Sequence, residues 1–188
     1  TDLGSKQAML QQREQRLRHL ESILRKQDSM LNKLNNSVKN ALLGFSSDEL
    51  TVEMKNGKVY VSLSDKLLFK SGAANVEEKG KEALKKVAEV LNKNRDINIA
   101  IEGHTDNVPV KTPKYQDNWD LSAARATNVV RLLTDEYGMD PTRITASGKG
   151  EFSPVADNDT PEGKARNRRT EIVLSPQLEE LMKLISKN

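Results

Sequence analysis

The chain has 188 residues, enough for one domain of ordinary size plus an extension. Its 30 basic and 27 acidic residues leave a net charge of +3, and the two signs alternate instead of forming the clustered basic stripe of a nucleic-acid binder. The absence of cysteine excludes a disulfide, a thiolate metal site and a cysteine nucleophile, and no apolar run approaches the roughly 20 residues that span a bilayer.

The first element in chain order is a long helix. Leu10, Leu17, Leu24, Leu31 and Val38 recur every seven residues, and Leu20, Leu34 and Ala41 fall three residues after members of that series. Arg13 and Gln27 interrupt the second series. Glycine and proline are missing from Ser5 to Leu43. The heptads predict a parallel coiled-coil stalk over residues 1–43, dimeric or trimeric. The other reading is one amphipathic helix folded back on the domain. The chain begins at Thr1, so a lipid anchor or membrane helix is expected ahead of it.

The pattern changes at Gly44, where a domain over residues 44–188 is expected to begin. Two alternating runs flank Asn56-Gly57, which predicts a hairpin over residues 50–64. Val76, Leu84, Val87, Val90 and Leu91 share one helical face. Residues 97–102 alternate as a strand, and a loop with Pro109 and Pro113 follows. Ser122 to Tyr137 reads as helix, residues 143–147 as strand, and Gly148 to Ala165 as loop. Residues 169–174 read as the last strand and 177–187 as a closing helix. Strands alternating with helices predict a sandwich with both central helices on one face of a mixed sheet.

Three strings carry the chemistry: Gly103-His104-Thr105-Asp106, Leu121-Ser122-Ala123-Ala124-Arg125-Ala126 and Asn167-Arg168-Arg169. Together they offer one carboxylate and several guanidiniums to a small ligand bearing its own ammonium and carboxylate, such as an amino acid. If Asp120 or Ser122 caps the helix, Arg125 lies near its first turn and opposes the helix dipole, which calls for a bound anion. Its planar fork suits a carboxylate, and Asp106 suits an ammonium. Arg168 and Arg169, as strand neighbours, point to opposite faces, so at most one reaches a given pocket. His104 has only His19 of the stalk as a fellow histidine, and a metal site would need further ligands, of which the best nearby is Asp106, so no metal site is expected. Ser122 reads as a helix cap and His104 as a structural donor. No Gly-x-Ser-x-Gly elbow is present. Tyr115 and Trp119 read as anchors of the loop.

Residues from about Leu68 to Leu174 resemble the OmpA C-terminal-like family of peptidoglycan-binding domains. The resemblance rests on Gly103-His104-Thr105-Asp106, Asn118-x-x-Leu121-Ser122-x-x-Arg125-Ala126, Gly148-x-Gly150-Glu151-x-x-Pro154 and Asn167-Arg168-Arg169. It implies an α+β fold, a βαβαβ-type two-layer sandwich, here preceded by the long helix. It implies a ligand as well, the meso-diaminopimelate of the peptidoglycan stem peptide. By motif match, Asp106 takes the ammonium and Arg125 the carboxylate. Thr105 and Asn118 match supporting contacts, Arg168 a second basic contact and Asn167 a structural partner. Residues 107–120 depart from the porin members and are similar to the MotB-like stator members, as is Thr160-Pro161-Glu162-Gly163. The stalk and hairpin, to about Leu67, lie outside the resemblance.

These readings combine into a non-enzymatic, periplasmic protein that binds peptidoglycan and needs no cofactor. It is expected to tether an outer-membrane lipoprotein or protein of a Gram-negative bacterium to the cell wall. The alternative is the periplasmic domain of a motor stator subunit. On this reading Asp106→Ala and Arg125→Ala both abolish binding and leave the fold intact.

Overall fold

Asn56 and Gly57 adopt φ of 52° and 71°, the left-handed pair that a two-residue hairpin requires. They join β1 (Leu50–Lys55) to β2 (Lys58–Ser64) in antiparallel register. The computed structural model describes residues 1–186. Ser64 caps a single helical turn, α2 (Asp65–Leu68), and α3 (Glu78–Asn92) follows. Then come β3 (Ile97–His104), α4 (Asn118–Arg131), β4 (Ile144–Gly148), α5 (Pro161–Asn167), β5 (Arg169–Pro176) and α6 (Glu179–Ser186). Lys187, included in the expected closing helix, lies outside the described residues.

The five strands form one mixed sheet in the order β1-β2-β5-β3-β4. Only β3 and β4 run parallel, as the α4 crossover between them demands. The expected α+β sandwich is therefore what the chain adopts. Val59, Val61 and Leu63 of β2, Ile99 and Ile101 of β3, and Ile172 and Leu174 of β5 alternate onto one face. They join Leu84, Val87 and Leu91 of α3 and Ala126 and Val129 of α4 in a single apolar cluster. The opposite face carries Ser62, Glu102, His104 and Glu171, the apolar-in, polar-out division of a sheet covered on one side.

The first helix, α1 (Asp2–Ala41), divides into two parts along its length. Leu31, Leu34, Val38 and Leu42 belong to the same apolar cluster as the sheet, so the core crosses the boundary expected at residue 44. Leu3, Leu10, Leu17 and Leu24, also seven residues apart, are exposed. Both heptad series beyond Leu31 are thus used against the chain's own domain. Any seam for a second chain is confined to the part of α1 before that point.

Helix α4 sits unusually close to the sheet. A Cβ placed on Gly103 would lie 2.2 Å from the Ser122 carbonyl oxygen, and one on Gly148 would lie 2.7 Å from the Ala123 nitrogen. The glycine of the Gly-His-Thr-Asp string therefore lets α4 approach the end of β3. Gly103→Ala must push the helix away, and a cost of about 1–3 kcal/mol is expected. A lowered denaturation midpoint with an unchanged m-value is the measurement that checks it.

Candidate functional site

Strand β3 runs out at His104, and the next two residues turn into the loop that leads to α4. Thr105 is tied down by its own N–H, which donates to the Gly150 carbonyl at 2.9 Å. Its hydroxyl donates to the Asp106 carbonyl at 2.8 Å. The Asp106 carboxylate then accepts from two sides: the Val108 N–H reaches Oδ1 at 3.0 Å, and Arg168 Nη1 reaches Oδ2 at 2.8 Å. Asn118 Nδ2 donates to the Val108 carbonyl at 3.0 Å, pinning the loop across the site. Asn118 Oδ1 is buried and has no hydrogen-bond partner among the described residues.

Asp117 caps α4 through its side chain, which accepts from the Asp120 N–H. The helix thus begins four residues ahead of the expected Ser122. Ser122 is not a cap: its hydroxyl donates to the Trp119 carbonyl at 3.1 Å and accepts from the Gly150 N–H at 3.0 Å. Arg125 is consequently two turns inside α4, beyond the reach of the N-terminal dipole. The dipole argument for a bound anion at Arg125 fails.

What holds Arg125 is different. Its guanidinium pairs with Asp65, donates from Nε to the Ala73 carbonyl at 2.8 Å, and stacks 4.7 Å above the Phe69 ring. The side chain is only 5% exposed. Burial pushes the Asp65 carboxyl up and the Arg125 guanidinium down, and each opposes that push on the other. Asp65 also feels Arg168 and Asp106. The site is therefore a set of four charges, Asp65 with Arg125 and Asp106 with Arg168. Sequence reading missed Asp65, because after Ser64 it looks like an ordinary acid in a first helical turn.

Of the expected residues, Thr105, Asp106, Asn118 and Arg168 meet at the end of β3. Arg125 reaches the same cluster through Asp65. Arg168 and Arg169 do diverge: Arg169 turns to Glu171 on the polar face of the sheet, with Nε to Oε1 at 2.9 Å. The Arg168 side chain is 39% exposed, so it is the most solvent-accessible member of the four. Asn167 is fully buried and accepts from the Val155 and Ala156 N–H groups at 2.8 and 2.9 Å. It shapes the 153–158 loop without facing the site. Tyr115 anchors its loop, buried against Ala74 and Leu121. Trp119 is exposed and packs on Phe152, with centroids 5.1 Å apart.

The loop expected over Gly148 to Ala165 ends instead in helix α5. Thr160 caps it and Pro161 opens it, a start signal that the Thr-Pro-Glu-Gly string carried in plain view. This helix delivers Arg168 at its C-terminal end.

Residues 68–168 match the OmpA family. Motility protein B of Bacillus subtilis is 36% identical over 129 residues, 69% of this chain and 49% of that protein. The chain thus spans about half the length of that curated relative. A crystal structure of a MotB-like protein from Desulfovibrio vulgaris superposes with a TM-score of 0.74 at 28% identity, covering 84% of this chain and 98% of that one. The cell wall anchor of the T6SS from Pseudomonas aeruginosa superposes with a TM-score of 0.68 at 35% identity, covering 74% and 96%.

Proposed function

Because the chain belongs to the OmpA family, we propose that it binds peptidoglycan non-covalently through the diaminopimelate of the stem peptide. The observation that carries this reading is the four-charge cluster at the end of β3. A buried carboxylate, Asp106, stands there against a half-exposed guanidinium, Arg168. A zwitterion can enter by inserting its ammonium at Asp106 and its carboxylate at the guanidiniums. That exchange swaps one ion pair for two, without leaving a charge unpaired. Arg168 takes the carboxylate from the open side. Arg125, held by Asp65 and Ala73, fixes the basic wall behind it. Thr105 and Asn118 keep the loop in place, and Asn118 Oδ1 remains as a spare acceptor.

Sedimentation with purified sacculi tests the reading. The chain should co-sediment, and free meso-diaminopimelate should release it. Release of soluble wall fragments would instead mark a hydrolase. Co-sedimentation insensitive to the amino acid would point to a different ligand.

Such binding would tether an envelope structure to the wall, by way of an outer-membrane lipoprotein or protein. Likeness to Motility protein B over 69% of the chain favours a second reading, the periplasmic part of a motor stator subunit. Both place the chain in the periplasm. Among the described residues no helix is long and apolar enough to cross a membrane.

The exposed leucines of α1 supply the valency. Leu3, Leu10, Leu17 and Leu24 form a seam for a dimer or trimer through the stalk. Leu10→Asp with Leu17→Asp should yield a monomer by light scattering with the domain still folded by circular dichroism, since neither side chain belongs to the domain core. The same pair of changes should weaken sacculus binding about 10²–10⁴-fold, the gain that linked sites provide. Affinity for one soluble stem peptide should not move. A wild-type chain that is monomeric at micromolar concentration would contradict the seam.

A further inference from the structure

The polar face of the sheet carries a second cluster, separate from the zwitterion site. Glu102 and His104 are two residues apart on β3 and share that face. Antiparallel register sets Glu171 of β5 directly opposite Glu102, and Arg169 opposite His104. The His104 side chain is only 4% exposed, yet neither ring nitrogen has a hydrogen-bond partner among the described residues. A buried imidazole without a partner is costly and calls for an explanation.

Its Nε2 points between two carboxylates. It lies 3.8 Å from Glu102 Oε1 and 3.9 Å from Glu171 Oε2. Both distances are too long for hydrogen bonds. They suit neighbouring ligands of one ion instead, since zinc bonds of about 2.0–2.2 Å hold their donor atoms up to about 4 Å apart. The three donor atoms all lie within 4.8 Å of one another. The remaining oxygens are engaged outside this triangle. Glu171 Oε1 accepts from Arg169 Nε at 2.9 Å, and Glu102 Oε2 faces Lys149 Nζ at 3.7 Å. Each carboxylate is thus held by a cation on one oxygen and presents the other to the histidine. Outer partners of this kind orient metal ligands.

We propose that Glu102 Oε1, His104 Nε2 and Glu171 Oε2 form a three-ligand site for a divalent transition-metal ion, with water at the fourth position. One imidazole and two carboxylates suit zinc. Arg169 and Lys149 offset the two carboxylate charges and hold the affinity to a moderate level. The ion would tie β3 to β5 where those strands meet the loop of Asp106 and the end of α5 at Arg168. This proposal does not depend on the identity of the wall ligand.

Sequence reading expected no metal here, with Asp106 as the best further ligand near His104. The fold brings Glu102 and Glu171 instead, and Asp106 is committed to Arg168.

Calorimetric titration of zinc chloride into the full chain tests the site. The titrated protein carries His19→Ala, which removes the exposed stalk histidine as a competing ligand. One zinc per chain is expected. Glu102→Gln and Glu171→Gln should each weaken binding at least about tenfold, since loss of even an outer partner of a metal ligand typically costs about 10–100-fold. Cobalt(II) in place of zinc should give the visible absorption of a four-coordinate site, a readout on the unmutated ligand set that does not require the variants to fold. No zinc heat, no cobalt spectrum, or affinity unchanged in both glutamine variants would overturn the proposal.

Discussion

Arg125→Ala is expected to cost about 3–5 kcal/mol of folding stability, the usual result of leaving one member of a buried ion pair alone. The alanine would leave Asp65 buried without its cation, free the Ala73 carbonyl, and remove the group stacked on Phe69. This reverses the expectation from sequence, in which Arg125 faced only a ligand and its loss left the fold intact. Urea denaturation checks it. Asp65→Asn placed in the Arg125→Ala background should restore part of the loss, because it removes the stranded charge. The coupling in that double-mutant cycle should exceed about 1 kcal/mol, as expected for residues in direct contact. An Arg125→Ala chain within about 1 kcal/mol of wild type would mean that the pair does not hold the α2–α4 junction, since surface ion pairs contribute no more than that. Arg125→Ala is accordingly a poor probe of ligand binding, as lost binding and lost folding cannot be separated in it.

Asp106→Ala is the cleaner probe. It removes the acceptor offered to a ligand ammonium, while the partner it strands is Arg168, with 39% of its side chain in solvent. The fold should survive, with a cost of about 0.5–2 kcal/mol for the lost contact to the Val108 N–H, comparable to losing a cap. Sacculus binding should fall by at least tenfold, since a hydrogen bond to a charged group contributes about 1.5–3 kcal/mol. Arg168→Ala should fall in the same direction. Wild-type binding in both variants would remove the zwitterion from the account.

Much of the fold was legible because its signals are local. Asn56-Gly57 dictates the hairpin through its backbone alone, and the alternation of residues 97–102 announces a strand with one buried face. The start of α4 was misread because Asp117, Asp120 and Ser122 are all acceptable caps, and only the loop geometry selects Asp117. The α1 heptads were legible as a repeat but not as a division of labour. Leu24 and Leu31 occupy the same heptad position, and what separates exposed from buried is where the domain happens to reach.

Within the site, Asp106 and Arg168 could be found from two short strings, since each lies at the end of a strand or helix. Asp65 could not. It lies 60 positions before Arg125, in a turn whose acid has an ordinary local role, and only the fold that brings it to Arg125 gives it another. The Glu102–His104–Glu171 cluster was half legible for the same reason. Period two sets Glu102 beside His104, but the register of β5 is a tertiary fact.

Calorimetry with two soluble stem peptides, one carrying meso-diaminopimelate and one carrying lysine at the same position, tests the central claim most directly. Lysine retains the side-chain ammonium for Asp106 and lacks the carboxylate for Arg168 and Arg125. The diaminopimelate peptide should therefore bind roughly tenfold to a hundredfold more tightly, the equivalent of one charged hydrogen-bond contact. Equal affinity for the two peptides would contradict the pairing of both ligand charges at the end of β3.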